Sequence, residues 1–306
     1  MPDDIDYVAQ FQAYLLTEKR VSENTFAAYS TDIDQLDLFV KKQKLTFDTV
    51  QKRQLNSFLK GIRDQGIKAK TLSRKISSIK LFFTYLHDHY KLPNPAKSLI
   101  FPKLEKTLPN YLSEDEIQKL LLAANSDNSD KGIRNKVMLY VLYATGMRVS
   151  ELVHLTVDQL HFDTGFVHLV GKGNKERVIP LPKNILELLR YYLDHIYHKL
   201  LGGNAHLQKA SKSYLFAASY GHVVKPLSRQ SFWMILKKIL TKAMISKNIS
   251  PHSLRHSLAT HLLKNGADIR SLQLLLGHEN IATVQVYTHL EKSQVRKVYD
   301  AKHPRA

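Results

Sequence analysis

Six polar side chains stand in short stretches that are otherwise apolar or rich in glycine, and their types suggest a shared chemistry. The stretch ATGMRVSEL puts Arg148 just past a glycine and between apolar runs, while GKGNKER puts Lys172 between two glycines. In SPHSLRHSLATHLL, His252 and Arg255 lie three apart, on one face of a helix start. LLGHENI places His278 after a glycine suited to ending a helix, and VQVYTHL supplies Tyr287. Taken singly, each residue has a plainer reading. Arg148 would pair with Glu151, Lys172 would be solvated, and Tyr287, framed by Ile281, Val284, Val286 and Leu290, would be a core aromatic. His252 and His256 have the i, i+4 spacing of a metal pair, but the glutamate of H-E-x-x-H is missing and Arg255 would repel a cation.

Taken together, the six suit a phosphodiester. Two arginines can clamp its non-bridging oxygens and stabilise the extra charge of a pentacoordinate phosphorane. Two histidines add hydrogen-bond donors or acid–base groups, and a flexible lysine can deliver a proton. A tyrosine hydroxyl, with an ordinary pKa of about 10, becomes a competent nucleophile where cations favour its phenolate. Phosphoryl transfer on metal ions would want clustered carboxylates, which the sequence does not offer. The expectation is a site with no metal and no cofactor.

Composition narrows the setting of that site. At 306 residues the chain is long enough for two domains, each with its own core. Lys plus Arg number 45 against 27 Asp plus Glu, a net charge of +18 that calls for an anionic partner. The basic residues are spread over both halves among aromatics, which suits a folded surface tracking phosphates. Cysteine is absent, so disulfides, thiolate zinc sites and a cysteine nucleophile are excluded. No stretch approaches the roughly 20 apolar residues of a membrane span, and MPDDIDYVAQFQ is not a signal peptide. A cytoplasmic protein that makes no membrane contact is expected.

The elements follow from periodicity. Residues 1–91 read as four amphipathic helices in a small bundle. The first has Ile5, Tyr7, Phe11, Tyr14 and Leu15 on one face, and the second, N-capped by Ser22, has Phe26, Tyr29, Ile33, Leu36 and Phe39. Arg53, Lys60, Lys70, Arg74 and Lys75, with Thr25, Tyr29 and Ser77, are placed on the faces away from the core, where such residues could grip a duplex backbone. Residues 92–112 hold four prolines and no periodicity, and read as a linker. The second domain, 113–306, opens on a capping box of Ser113 and Glu116. GFVHLVGKGNKERVIPL alternates as a β-hairpin, and the chain beyond it reads as helical to its end. In the last segment, Val295, Val298 and Tyr299 give only a modest apolar stripe, too small to hold a helix firmly on its own domain.

ATGMRVSEL, GKGNKERVIPL, HSLRHSLATHLL and LLGHENIATVQVYTH resemble, in order and spacing, the signature boxes of the tyrosine recombinase (phage integrase) family. The likeness is to the Xer subgroup of bacterial chromosome-dimer resolvases and extends over nearly the whole chain. The closing HPRA is XerD-like rather than XerC-like. The resemblance implies a mainly α fold with a small antiparallel hairpin or sheet. It also implies a two-domain DNA clamp, with an N-terminal four-helix, core-binding bundle and a catalytic domain. It implies that Tyr287 attacks a scissile phosphate to give a 3′-phosphotyrosyl link, that Arg148 and Arg255 bind the phosphate, and that Lys172 protonates the departing 5′-oxygen. His252 would assist proton transfer at the nucleophile, and His278 would hold the phosphate from the far side. Implied partners are a double-stranded recombination site, a recombinase tetramer with a paralogous XerC-like subunit, and a DNA translocase as activator. The final helix would dock on a neighbouring subunit. Rival readings are a phage or mobile-element integrase, a type IB topoisomerase, and a nonenzymatic basic DNA-binding protein.

Overall fold

Asp6 and Ser22 open the first two helices by accepting hydrogen bonds from backbone N–H groups of the first turn. In the computed structural model, which describes residues 5–103, 111–170, 176–202, 213–220, 223–276, 299 and 301–303, these are α1 (Tyr7–Thr17) and α2 (Glu23–Lys42). With α3 (Lys52–Asp64) and α4 (Ala69–Tyr90) they form the helical bundle of a first unit, Met1–Thr107. Phe11 and Leu15 of α1, and Ile33 and Leu36 of α2, are fully buried, whereas Ile5 remains 45% exposed. Aromatic rings fill the centre: Phe82 meets Phe11 and Phe47 edge to face at 5.1 and 4.9 Å. Ala96 and Leu99, within the stretch read as linker, are buried in this same core.

One expectation for this unit is overturned. Lys75 is not on an outer face but 4% exposed, its ammonium donating to Asp32 Oδ1 at 2.8 Å and to Gln35 Oε1 at 2.6 Å. Asp32, itself 1% exposed, also accepts from Arg74 and from Ser78 Oγ. A buried carboxylate needs several donors, and α4 turns a lysine, a serine and an arginine towards α2 to supply them. Arg53, Lys60 and Lys70 are exposed, as expected.

The second unit, Leu108–Ala306, is also mostly helical. Ser113 and Glu116 form the expected capping box at the start of α5 (Glu114–Ala124), and α6 (Asp130–Thr145) runs through the core. After the short α7 (Val149–Val153) come β1 (Leu160–His161), β2 (Phe166–Val170) and β3 (Glu176–Pro180), an antiparallel sheet in that order. The β2–β3 pair, in register Val167 to Ile179 and Leu169 to Arg177, is the hairpin anticipated from alternation. Next are α8 (Lys183–Tyr192), α9 (Arg229–Lys242), α10 (Pro251–Lys264) and α11 (Ile269–Leu276). The chain beyond the hairpin is not wholly helical: β4 (Ala217–Tyr220) and β5 (Val223–Pro226) form a second antiparallel pair. Four-residue strands carry too little alternation to stand out between long helices.

The described part of the C-terminal segment also departs from expectation. Tyr299 is 2% exposed, and its hydroxyl donates to Ala144 O at 2.7 Å, near the end of α6. Its ring stacks on His303 at 4.5 Å, and Asn265 Nδ2 donates to Lys302 O. These described residues are therefore anchored on their own unit, through an aromatic with a satisfied hydroxyl. Val295 and Val298 lie outside the described residues. No described helix is long and apolar enough to cross a membrane.

Candidate active site

Gly146 sets the geometry of the first box. It ends α6 at φ +59°, and a Cβ there would come within 2.8 Å of the Leu258 and Leu276 side chains, so both conformation and packing require glycine. Met147 then buries itself, and Arg148 becomes the N-cap residue of α7. Its backbone N–H donates to Glu151 Oε2 at 2.7 Å and its Nη1 to Glu151 Oε1 at 3.0 Å. The pairing with Glu151 that the spacing allowed is thus real. It leaves the Arg148 side chain 41% exposed, so pairing does not remove Arg148 from reach.

Arg255 comes to the same place from α10. Ser250 caps that helix, Pro251 begins it, and four residues later Arg255 is 5% exposed. Its Nη1 donates to Gly146 O at 2.6 Å and its Nη2 to Leu276 O. The last carbonyls of a helix lack intrahelical partners and carry partial negative charge, so one guanidinium closes the ends of both α6 and α11. Arg255 thereby holds the turn that carries Arg148 and the residue next to Gly277 and His278 in the chain. Burial, and then the positive charges of Arg148 and Arg177, pull its pKa down to about 10, with Glu151 opposing them. At neutral pH it still carries its proton. Among the described residues, Arg148 and Arg177 thus pair with Glu151, and the charge of Arg255 is felt at the same place.

Arg177 is the participant that the sequence reading did not single out. It is 4% exposed on the inner face of β3 and donates from Nη1 and Nη2 to Glu151 at 2.9 and 2.6 Å. The signal was present: alternation along the strand puts Arg177 in register with Leu169 and on the same face as Ile179, where an arginine requires a buried carboxylate.

His252 sits in the first turn of α10 and is exposed, while His256 packs edge-on against Tyr111 at 6.2 Å between ring centroids. Lys172, His278 and Tyr287 lie outside the described residues. The structure therefore brings together Arg148, Arg255, Glu151 and Arg177, with His252 on the helix that carries Arg255.

Residues 110–294 match the model of the Phage integrase family, and residues 8–89 match its N-terminal SAM-like domain. The chain is 40% identical over 301 residues to tyrosine recombinase XerD of Staphylococcus saprophyticus subsp. saprophyticus, covering 98% of this chain and 99% of that one. It is 38% identical, with the same coverage, to tyrosine recombinase XerD of Staphylococcus haemolyticus. Among solved structures, the XerH site-specific recombinase bound to palindromic difH substrate, a post-cleavage complex, superimposes with a TM-score of 0.68 at 21% identity. That alignment covers 95% of this chain and 83% of XerH, and it bears on the fold.

Proposed function

The chain belongs to the phage integrase family of tyrosine recombinases, and from that premise we propose the strand transfer that its residues perform. Tyr287 attacks the scissile phosphorus through its hydroxyl oxygen, forming a 3′-phosphotyrosyl bond as the bond to the 5′-oxygen breaks. Arg148 and Arg255 hold the non-bridging oxygens and stabilise the phosphorane. His252 takes part in removing the tyrosine proton, Lys172 gives a proton to the 5′-oxygen, and His278 holds the phosphate from the opposite side. Attack by a 5′-hydroxyl from the partner strand reverses these steps. The phosphotyrosyl bond conserves the energy of the phosphodiester, so two exchanges through a Holliday junction need no nucleotide.

The observation that carries this reading is Arg148, paired with Glu151 yet still exposed, with the buried Arg255 held on the turn beside it and close enough for their charges to interact. Such a site attracts a phosphodiester and favours its more negative transition state. Resolution of chromosome dimers at cell division is the biological role supported by XerD-named relatives matched over nearly their full length. The partners would be a double-stranded recombination site, a tetramer that includes a paralogous XerC-like subunit, and a DNA translocase as activator, all in the cytoplasm. Residues 1–91 and the catalytic domain 113–306 would each grip the duplex, with 92–112 as the linker in the chain.

A nicked suicide duplex tests the chemistry, because loss of the short 5′-fragment traps the covalent intermediate. Tyr287→Phe should bind that duplex within a few-fold of the unaltered protein and form no adduct. An adduct formed by the variant would overturn the assignment.

A further inference from the structure

We infer that Arg177 is a positioning residue for DNA cleavage, acting on the scissile phosphate through Glu151 and Arg148. The inference rests on the reading that Arg148 binds that phosphate. Both Glu151 oxygens are shared: Oε1 accepts from Arg148 Nη1 at 3.0 Å and Arg177 Nη1 at 2.9 Å, and Oε2 from Arg148 N at 2.7 Å and Arg177 Nη2 at 2.6 Å. The Arg177 fork is bidentate, and pairing of this kind fixes a carboxylate in orientation as well as in place. With Arg177 present, Glu151 is pinned from the β3 side and takes only one guanidinium nitrogen of Arg148. Without it, a mostly buried carboxylate would keep Arg148 as its one hydrogen-bonded guanidinium among the described residues, and the two would be drawn into a tighter pair. Arg148 would then be withdrawn from the position in which it meets a phosphate.

Packing alone does not account for Arg177. The Arg177 Nε is buried with no hydrogen-bond partner among the described residues, an unfavourable arrangement that an aliphatic side chain such as the neighbouring inward Ile179 would avoid. Buried ion pairs are often no more stabilising than apolar residues of the same size. A role in orientation gives the charged pair a reason to persist. Arg177 also lies on β3, the strand that follows Lys172 in the chain, so it joins the β2–β3 pair to α7, where Arg148 is the cap. A lysine could supply the charge but not the fork.

The test uses the full-length protein, with Arg177→Met and Arg177→Lys compared on two nicked suicide duplexes. One carries the ordinary scissile phosphodiester and the other a methylphosphonate, which lacks one negative non-bridging oxygen and so depends less on Arg148. Adduct formation on the phosphodiester should slow on the order of ten- to a hundred-fold in Arg177→Met, as for other residues that orient a binding group, with duplex binding within about three-fold. On the methylphosphonate the defect should shrink to a few-fold, and Arg177→Lys should fall between the unaltered protein and Arg177→Met. Equal defects on both duplexes, or cleavage at the unaltered rate, would overturn the inference. If Arg177→Met does not fold, the same comparison with Arg177→Lys decides, with an equal defect on the two duplexes counting against it. Failure of the unaltered protein to form an adduct would strike the strand-transfer reading instead.

Discussion

Glu151 is subject to opposing influences. Burial pushes its carboxyl pKa up, but the hydrogen bond and charge of Arg177, followed by the backbone and side-chain donors of Arg148, hold it below the ordinary range. A carboxyl whose pKa is lowered by folding contributes stability that is present above its unfolded value, about 4.3 for glutamate. That contribution is lost as pH falls through the lowered value. Glu151→Gln should therefore destabilise the catalytic unit by about 1–3 kcal/mol at pH 7, and the difference from the unaltered protein should narrow as pH falls below the ordinary carboxylate range. The chain has one tryptophan, Trp233, and it lies on α9 of this unit, so urea unfolding followed by its fluorescence is the measurement. The other carboxyls with lowered pKa among the described residues, Glu116, Asp127 and Asp268, are common to both proteins and cancel in the comparison. A difference that stays constant from pH 7 down to pH 3 would remove Glu151 as the titrating group.

Among the elements, the helix starts and the β2–β3 hairpin were legible because their signals are local. Ser22, Ser113 and Glu116 act within a turn of the helices they open, and Val167, Leu169 and Ile179 alternate along their own strands. Lys75 was misplaced because its partner, Asp32, is 43 residues away on another helix. The interaction between α2 and α4 therefore yields a prediction that periodicity cannot supply. Asp32→Ala should destabilise the first unit by about 3–5 kcal/mol, because it leaves the Lys75 ammonium buried with only Gln35 to accept from it. Lys60→Ala, on an exposed position, should change stability by no more than about 0.5 kcal/mol. Urea unfolding followed by far-ultraviolet circular dichroism would reveal the first effect, with the Trp233 transition unmoved. Equal midpoints for the two variants would mean that the buried network contributes nothing.

For the whole molecule, the charge of +18 makes a quantitative demand on DNA binding. Each neutralised phosphate contributes about −0.9 to the slope of log K against log salt, so a protein gripping six or more phosphates should show a slope steeper than about −5. Titration of a duplex recombination site between low and moderate salt measures it, and a slope near zero would mean that the charge serves something other than DNA. This requirement, the helical bundle, the hairpin and the family are all readable from the chain itself, since composition, periodicity and spaced boxes survive without coordinates. Three features needed the tertiary structure: the turn of Lys75 into the core, the closing of two helix ends by Arg255, and the recruitment of Arg177 to Glu151. Arg255 meets Gly146 across 109 residues and Arg177 meets Glu151 across 26. Local sequence sets which face of an element a charged side chain occupies, but only the packing of distant elements decides whether that face meets water or a buried partner.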